Sequence, residues 1–238
     1  RRDPEGINLC LHVISNHNKL FDSGSMVLAS QIIHQVLKYG GAVVDSSTAD
    51  RILACTRSVQ DAQVYPAAVS THLLLTIAVI LAKDIVQKHI LKEASPALWS
   101  MVAGIGARLS WASLMRVLSF IPETVKSGRY YTKCNAQQAT ASMINIYGPL
   151  FRDFCGLVPT LLSGSRSDAP RDLLLSNDEM QLLGSVTNWL EVWLEINEVS
   201  DGGLSATVAS DLALLMSTSL TSRAVDTFSS LLASPSPD

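Results

Sequence analysis

From Ala62 to Ala82 the chain carries no charged residue, and its densest part, LLLTIAVILA, fills Leu73 to Ala82. A run of this kind has two structural outlets, a membrane span or a helix buried on every side. Crossing the ~30 Å hydrocarbon layer takes about 20 consecutive apolar residues. Here Gln63, Pro66, Ser70, Thr71 and His72 interrupt the segment, and the uninterrupted apolar portion is too short to span. The segment therefore reads as a central helix entered at Pro66, the axis on which the rest of the fold is laid.

Most other segments show helical periodicity. Met26, Ala29, Ile33, Val36 and Leu37 recur at three- and four-residue steps, which marks one buried face. Gly40-Gly41 ends that helix. Ser47-Thr48-Ala49-Asp50 has the form of a capping box and opens a helix running to about Val59. Ser95-Pro96 sets a capping side chain before a proline at the first helical position, starting a segment that continues past Gly104 and Gly106. A further helix starts near Ser110 and is expected to close at Pro122, followed by a turn-rich link from Lys126 to Asn135.

Beyond that link, a helix is expected from Gln137 to Phe154 with a kink or break at Tyr147-Gly148-Pro149. Gly164 to Pro170, GSRSDAP, reads as a lobe boundary or mobile loop. Ser176-Asn177-Asp178-Glu179 is a second capping box, opening a helix that turns Met180, Leu183, Val186, Trp189, Leu190 and Trp193 inward until Asp201-Gly202-Gly203 stops it. One or two more helices reach about Leu232. No strand-like alternation or fixed-period repeat is visible, so the expected fold class is all-α, a two-lobed multi-helix domain with no significant sheet. Its expected parts are an N-terminal arm over 1–24, an N-terminal lobe over 25–125, a C-terminal lobe over 126–233 containing the 164–170 loop, and a tail over 234–238.

Hydrophobic residues make up 47% of the 238 positions and charged residues only 16%, so apolar surface must be buried in a core or against further copies of the chain. Self-association is an expectation from composition alone. The net charge of −3 hides a split. Residues 1–167 hold 16 Lys/Arg against 10 Asp/Glu, and 168–238 hold 2 against 11. The stretch from Lys83 to Lys133 gathers Lys83, Lys88, Lys92, Arg108, Arg116, Lys126, Arg129 and Lys133 against Asp84, Glu93 and Glu123. This pattern suits either a groove that tracks phosphates or ordinary solvated helix faces.

Catalytic and metal signatures are missing from the sequence. The cysteines Cys10, Cys55, Cys134 and Cys155 are widely spaced with no C-x-x-C, and no N-x-S/T acceptor occurs; both fit a reducing, cytoplasmic setting. Arg1-Arg2-Asp3-Pro4 shows neither a methionine nor an apolar leader, so the arm is expected to be truncated. His34, His72 and His89 fall in expected helices without acidic or thiol partners at ligand spacing, and His72 in an apolar helix reads as a hydrogen-bonded core residue. Gly104-Ile105-Gly106 is a lone G-x-G in a helical context and is better explained by close helix packing than by a dinucleotide site. The expectation is a non-enzymatic chain with no cofactor, no metal and no small-molecule substrate.

Several motifs in order resemble the nucleoproteins of phenuiviruses, segmented negative-strand RNA viruses. VLKYGGA at Val36 to Ala42 followed by ILACTR at Ile52 to Arg57 is similar to that family's L-K-x-x-G-G segment and the A-L-T-R that follows it. SPALWSMVAGIGARL at Ser95 to Leu109 resembles its V-A-x-x-L segment, Pro122 falls near a family proline, and MINIYGPLF at Met143 to Phe151 sits where the family's C-terminal lobe begins. The resemblance covers about residues 31–155. It implies a two-lobed helical protein that clamps single-stranded RNA in a basic slot and self-assembles through its N-terminal arm, in cytoplasm or virion. Arg57 and Arg108 match family arginines of that slot. Arg116, Lys126, Arg129 and Lys133 are added from local charge as candidate phosphate contacts. After Arg57 the family's glycine and basic residues give way to Ser58-Val59-Gln60-Asp61, so a less basic slot is expected. Two other functions suit the same residues: a helical scaffold or adaptor holding partners in apolar grooves, and a coat-like subunit that contacts mainly itself.

Overall fold

The computed structural model describes residues 4–16, 21–39, 45–62, 64–87, 94–132, 151–162, 174–199, 213 and 219–233. All regular structure among them is helical: α1 Pro4–Ser15, α2 Ser23–Tyr39, α3 Ser46–Asp61, α4 Ala67–Gln87, α5 Ala94–Gly106, α6 Trp111–Thr132, α7 over 151–162, α8 Asn177–Val199 and α9 Ser219–Ala233. The fold class is all-α, with no strand among the described residues. The chain divides into two compact units, Arg1–Ala136 and Gln137–Asp238.

In the first unit α4 is the axis, packed against α2, α3, α5 and α6. Every position from Leu73 to Ile80 is buried. A helix with one wet face cannot show such a run, so α4 is covered on all sides from Leu73 to Ile80. Each leucine or isoleucine so enclosed is worth roughly 1.5–3 kcal/mol. Its polar groups are satisfied locally: the Thr71 hydroxyl donates to the Ala67 carbonyl at 2.9 Å and the Thr76 hydroxyl to the His72 carbonyl at 2.7 Å. The Ser30 hydroxyl lies 3.2 Å from His72 Nδ1 and joins α2 to α4. His72 is thus hydrogen-bonded between two helices as expected, but half-buried at the edge of the core.

Helix starts are set by acids. The Asp22 carboxylate accepts from the Ser25 N–H and the Asp45 carboxylate from the Thr48 N–H, both at 2.7 Å, and these bonds hold both carboxyls below the usual range. The expected cap at Ser47 is therefore corrected: α3 begins two residues earlier, and an ionised acceptor outcompetes a hydroxyl for the free N–H groups. Residues 4–15, expected within an arm, form a helix that packs on α2 and α3, with Ile7, Leu11 and Ile14 buried. The Gly40-Gly41 stop lies outside the described residues.

Pro122 does not close its helix. It sits inside α6, which continues to Thr132 and replaces most of the expected link from Lys126. An interior proline costs about 3 kcal/mol. Val117, Leu118 and Ile121 are fully buried around it, each worth about 1.5–3 kcal/mol, so packing on α4 outweighs the break. Val36 is a further correction, being exposed on α2 while Ala29, Ile33 and Leu37 face the core.

In the second unit, α7 buries Phe151, Phe154, Cys155, Val158, Leu161 and Leu162. The capping box of α8 forms as expected: the Ser176 N–H donates to Glu179 Oε2 at 2.7 Å, and the Glu179 N–H reaches Ser176 Oγ at 3.4 Å. The buried face of α8 runs through Glu179, Leu182, Ser185 and Val186, while Met180, Leu183 and Leu190 are half-buried. Glu179 also takes Arg223 of α9, at 2.6 and 3.2 Å, with its own side chain fully buried. The same guanidinium donates to the Leu174 carbonyl at 2.7 Å, and the Thr227 hydroxyl accepts from the Leu175 N–H at 3.0 Å. The expected kink at 147–149, the loop at 164–170, the stop at 201–203 and the tail at 234–238 lie outside the described residues.

Two outcomes follow from these contacts. Arg223→Ala leaves the Glu179 carboxylate enclosed without its cation and is expected to destabilise the protein by about 3 kcal/mol, read as a lower denaturation midpoint in urea. His34, buried against the Phe120 ring at 5.5 Å, has its pKa pushed down to about 4 by burial, with Lys38, His72 and Arg116 adding to it. The unfolded chain then binds the extra proton between about pH 6.5 and 4, so stability is full above that window and falls as pH drops through it. Urea titrations at pH 7 and 5 should show this loss, and His34→Gln should reduce it.

Candidate nucleic-acid interface

Arg57 lies on the last turns of α3 and is exposed. Arg108 follows α5 in a turn and is also exposed, and its Nη2 donates to the Gln60 carbonyl at 2.6 Å. That carbonyl is one of the last of α3, so Arg108 serves as a cap from another element and complements the negative end of the helix. Arg57 stands about one turn before Gln60 on α3, so Arg108 is tied to the same end of that helix. Gly104 faces Gln60 across this corner: a methyl there would meet the end of the Gln60 side chain, with its amide carbon at 3.1 Å, and that flexible side chain would have to shift. The G-x-G is a close-packing device between α5 and α3, as expected.

Arg116 stands elsewhere, on α6, near enough to His34 and His72 for its charge to lower the pKa of both, after burial. It shares this region with a cation the sequence reading did not single out. Lys38 Nζ sits 5.2 Å from the Tyr39 ring centroid and 5.0 Å from that of Phe120. Tyr39 is 70% exposed. The signal was present in the Lys38-Tyr39 pair before the double glycine, but nothing local shows that Phe120 approaches from α6. Lys126 and Arg129 belong to the last turns of α6, with side chains outside what is described; Lys133 lies outside the described residues altogether.

Chemically, an exposed ring beside an ammonium group, with a guanidinium on the adjoining helix, can stack a base and neutralise phosphate. His34 and His72 are kept neutral at pH 7 by burial and by these same cations, so they add no charge to the surface. The charge split also follows the units: residues 1–136 hold 14 Lys/Arg against 9 Asp/Glu, a net +5, and 137–238 hold 4 against 12, a net −8. Among the described residues no group of three or more His, Cys, Asp or Glu is placed to hold a metal ion. Cys10 is half-buried and Cys55 and Cys155 are buried, and burial pushes the Cys55 thiol up to about 11. No helix among the described residues is long and apolar enough to cross a membrane.

Comparison with known proteins finds no matching family model, no matching curated protein and no matching solved structure. The functional reading therefore rests on the site.

Arg57 and Arg108 should separate on substitution. Arg108→Ala removes a charge-assisted bond to a helix-end carbonyl and is expected to cost about 1.5–3 kcal/mol, whereas Arg57→Ala, whose side chain makes no ion pair among the described residues, should leave stability within ~0.5 kcal/mol. Thermal denaturation of the two variants side by side reads the difference.

Proposed function

We propose that the chain is a nucleoprotein-like packaging protein that binds single-stranded RNA without sequence preference and assembles with other copies of itself. The observation that supports this best is the exposed Lys38-Tyr39 pair with Phe120 and Arg116 on a net-positive unit. Packaging requires cations for the phosphates and flat apolar surfaces for the bases, and it requires no catalysis. Arg57, and Arg108 with the donors its bond to Gln60 leaves over, would extend the cationic track, and Lys126, Arg129 and Lys133 are further candidates for it. The ordered motifs from Val36 to Phe151 point the same way.

A second reading has its own observation. Leu28, Ile32 and Val36 leave an apolar strip on α2 exposed, which suits a scaffold or adaptor that binds protein partners.

The two readings part on nucleic acid. A packaging protein is expected to copurify with RNA, giving a high ratio of absorbance at 260 to 280 nm. It should bind single-stranded RNA with an affinity that falls as salt rises, at a log–log slope of about −0.7 per phosphate neutralised. Arg57→Ala with Arg116→Ala should flatten that slope by roughly 1.4, and Tyr39→Ala should weaken binding by about 1–3 kcal/mol through lost stacking. A purified chain without affinity for RNA at low salt would leave the adaptor reading.

A further inference from the structure

His72 of α4 stands where α2 and α6 come together. Its Nδ1 faces the Ser30 hydroxyl of α2 at 3.2 Å, and that hydroxyl donates its single proton to the Val27 carbonyl at 2.8 Å. The ring must therefore supply the proton of the Ser30 contact, which leaves Nε2 as its basic nitrogen. Protonation at Nε2 keeps the Nδ1–H bond to Ser30, so His72 can change charge without losing its tie between helices. His34, one turn beyond Ser30 on the same side of α2, differs. It is buried, and its Nδ1 has no hydrogen-bond partner among the described residues. Of the two imidazoles, half-buried His72 is the one able to titrate while the fold stands.

The elements packed on α4 decide what charge the ring meets. Helix α6 brings exposed Arg116, which after burial lowers the His72 pKa. Exposed Glu123 lies about two turns further along α6, with Lys126 and Arg129 beyond it. Helix α2 brings His34 and Lys38. Helix α3 carries Asp50, Arg51, Cys55, Arg57 and Asp61, α5 has no ionisable side chain, and Lys83 and Asp84 lie about three turns along α4 itself. The Lys38 ammonium sits 5.0 Å from the Phe120 ring, and Phe120 is one turn from Arg116 on α6, so the two exposed cations share an edge of this junction. A phosphate held there cancels the repulsion on His72 and sets a negative charge in its place, which favours the charged ring. We infer that RNA binding at Lys38 and Arg116 is coupled to the uptake of one proton at His72 Nε2, so that acidification tightens it. The bound chain then holds more protons than the unbound chain, and affinity rises as pH falls from about 7.5 to 5.5.

This rests on the RNA half of the proposed function, and the test separates the two. The probe is a short oligouridylate, whose bases do not titrate in this range, added to full chain freed of nucleic acid by nuclease and high salt. Fluorescence anisotropy at fixed salt should show affinity at least about threefold higher at pH 5.5 than at pH 7.5, with circular dichroism confirming the helical signal at both. Titration calorimetry in two buffers of different ionisation enthalpy should show protons taken up on binding. His72→Gln keeps a donor for Ser30, so it should bind at pH 7.5 as the wild type does and lose both the uptake and the gain in acid. Should that variant lose its helices, proton NMR of the wild-type ring, assigned through its contacts with Ser30, gives the same reading: its titration midpoint should move to higher pH when RNA is added. RNA bound equally well at both pH values without proton uptake overturns the coupling and leaves the RNA reading standing. Uptake undiminished in folded His72→Gln, or a wild-type midpoint that RNA does not move, overturns the assignment to His72. A chain that binds no oligouridylate at either pH overturns the RNA reading and this inference together.

Discussion

The burial of α4 on every side from Leu73 to Ile80 is the constraint from which the first unit follows. A helix with no wet face needs neighbours all around it, and α2, α3, α5 and α6 supply them. That demand explains features that look costly by themselves. The proline within α6 is tolerated because the residues flanking it belong to the wall around α4. His34 and His72 are enclosed because their helices must close on that core, and enclosure keeps both rings neutral at pH 7.

The second unit adds a polar hub to its own apolar core. Its α8 starts on a reciprocal Ser176–Glu179 cap, and the same glutamate anchors Arg223 from a helix 44 residues further on. A single carboxylate thus terminates one helix and fastens another. Burying such a pair gives little net stability over apolar side chains of the same size, but it admits one arrangement only. The second unit therefore joins a directional polar hub to the apolar burial on α7.

What the sequence disclosed depends on the range of the signal. The α4 axis was legible because an uncharged run with few polar interruptions has almost no alternative outlet. The Ser176–Glu179 box was legible because both partners lie within one turn. The start of α3 was placed two residues late because Asp45, Ser46, Ser47 and Thr48 are all residue types that can cap, and only the charge of the first decides between them. The inner face of α8 was turned because Met180, Leu182, Leu183 and Val186 offer more than one apolar side. At the candidate interface, Arg57 and Arg116 could be named from sequence, yet the tie of Arg108 to the Gln60 carbonyl spans 48 residues and leaves no local trace. The approach of Phe120 to Lys38 is hidden for the same reason.

The anchoring of Arg223 and Thr227 onto residues 174–179 also has a bearing on how this chain can change. The contacts join the entrance of α8 directly to α9, so the register of α9 is held at its own first turns and does not depend on the length of the connection leading to it. The position of α9 against the entrance of α8 is therefore set by those contacts themselves, whatever length of chain runs between the two helices.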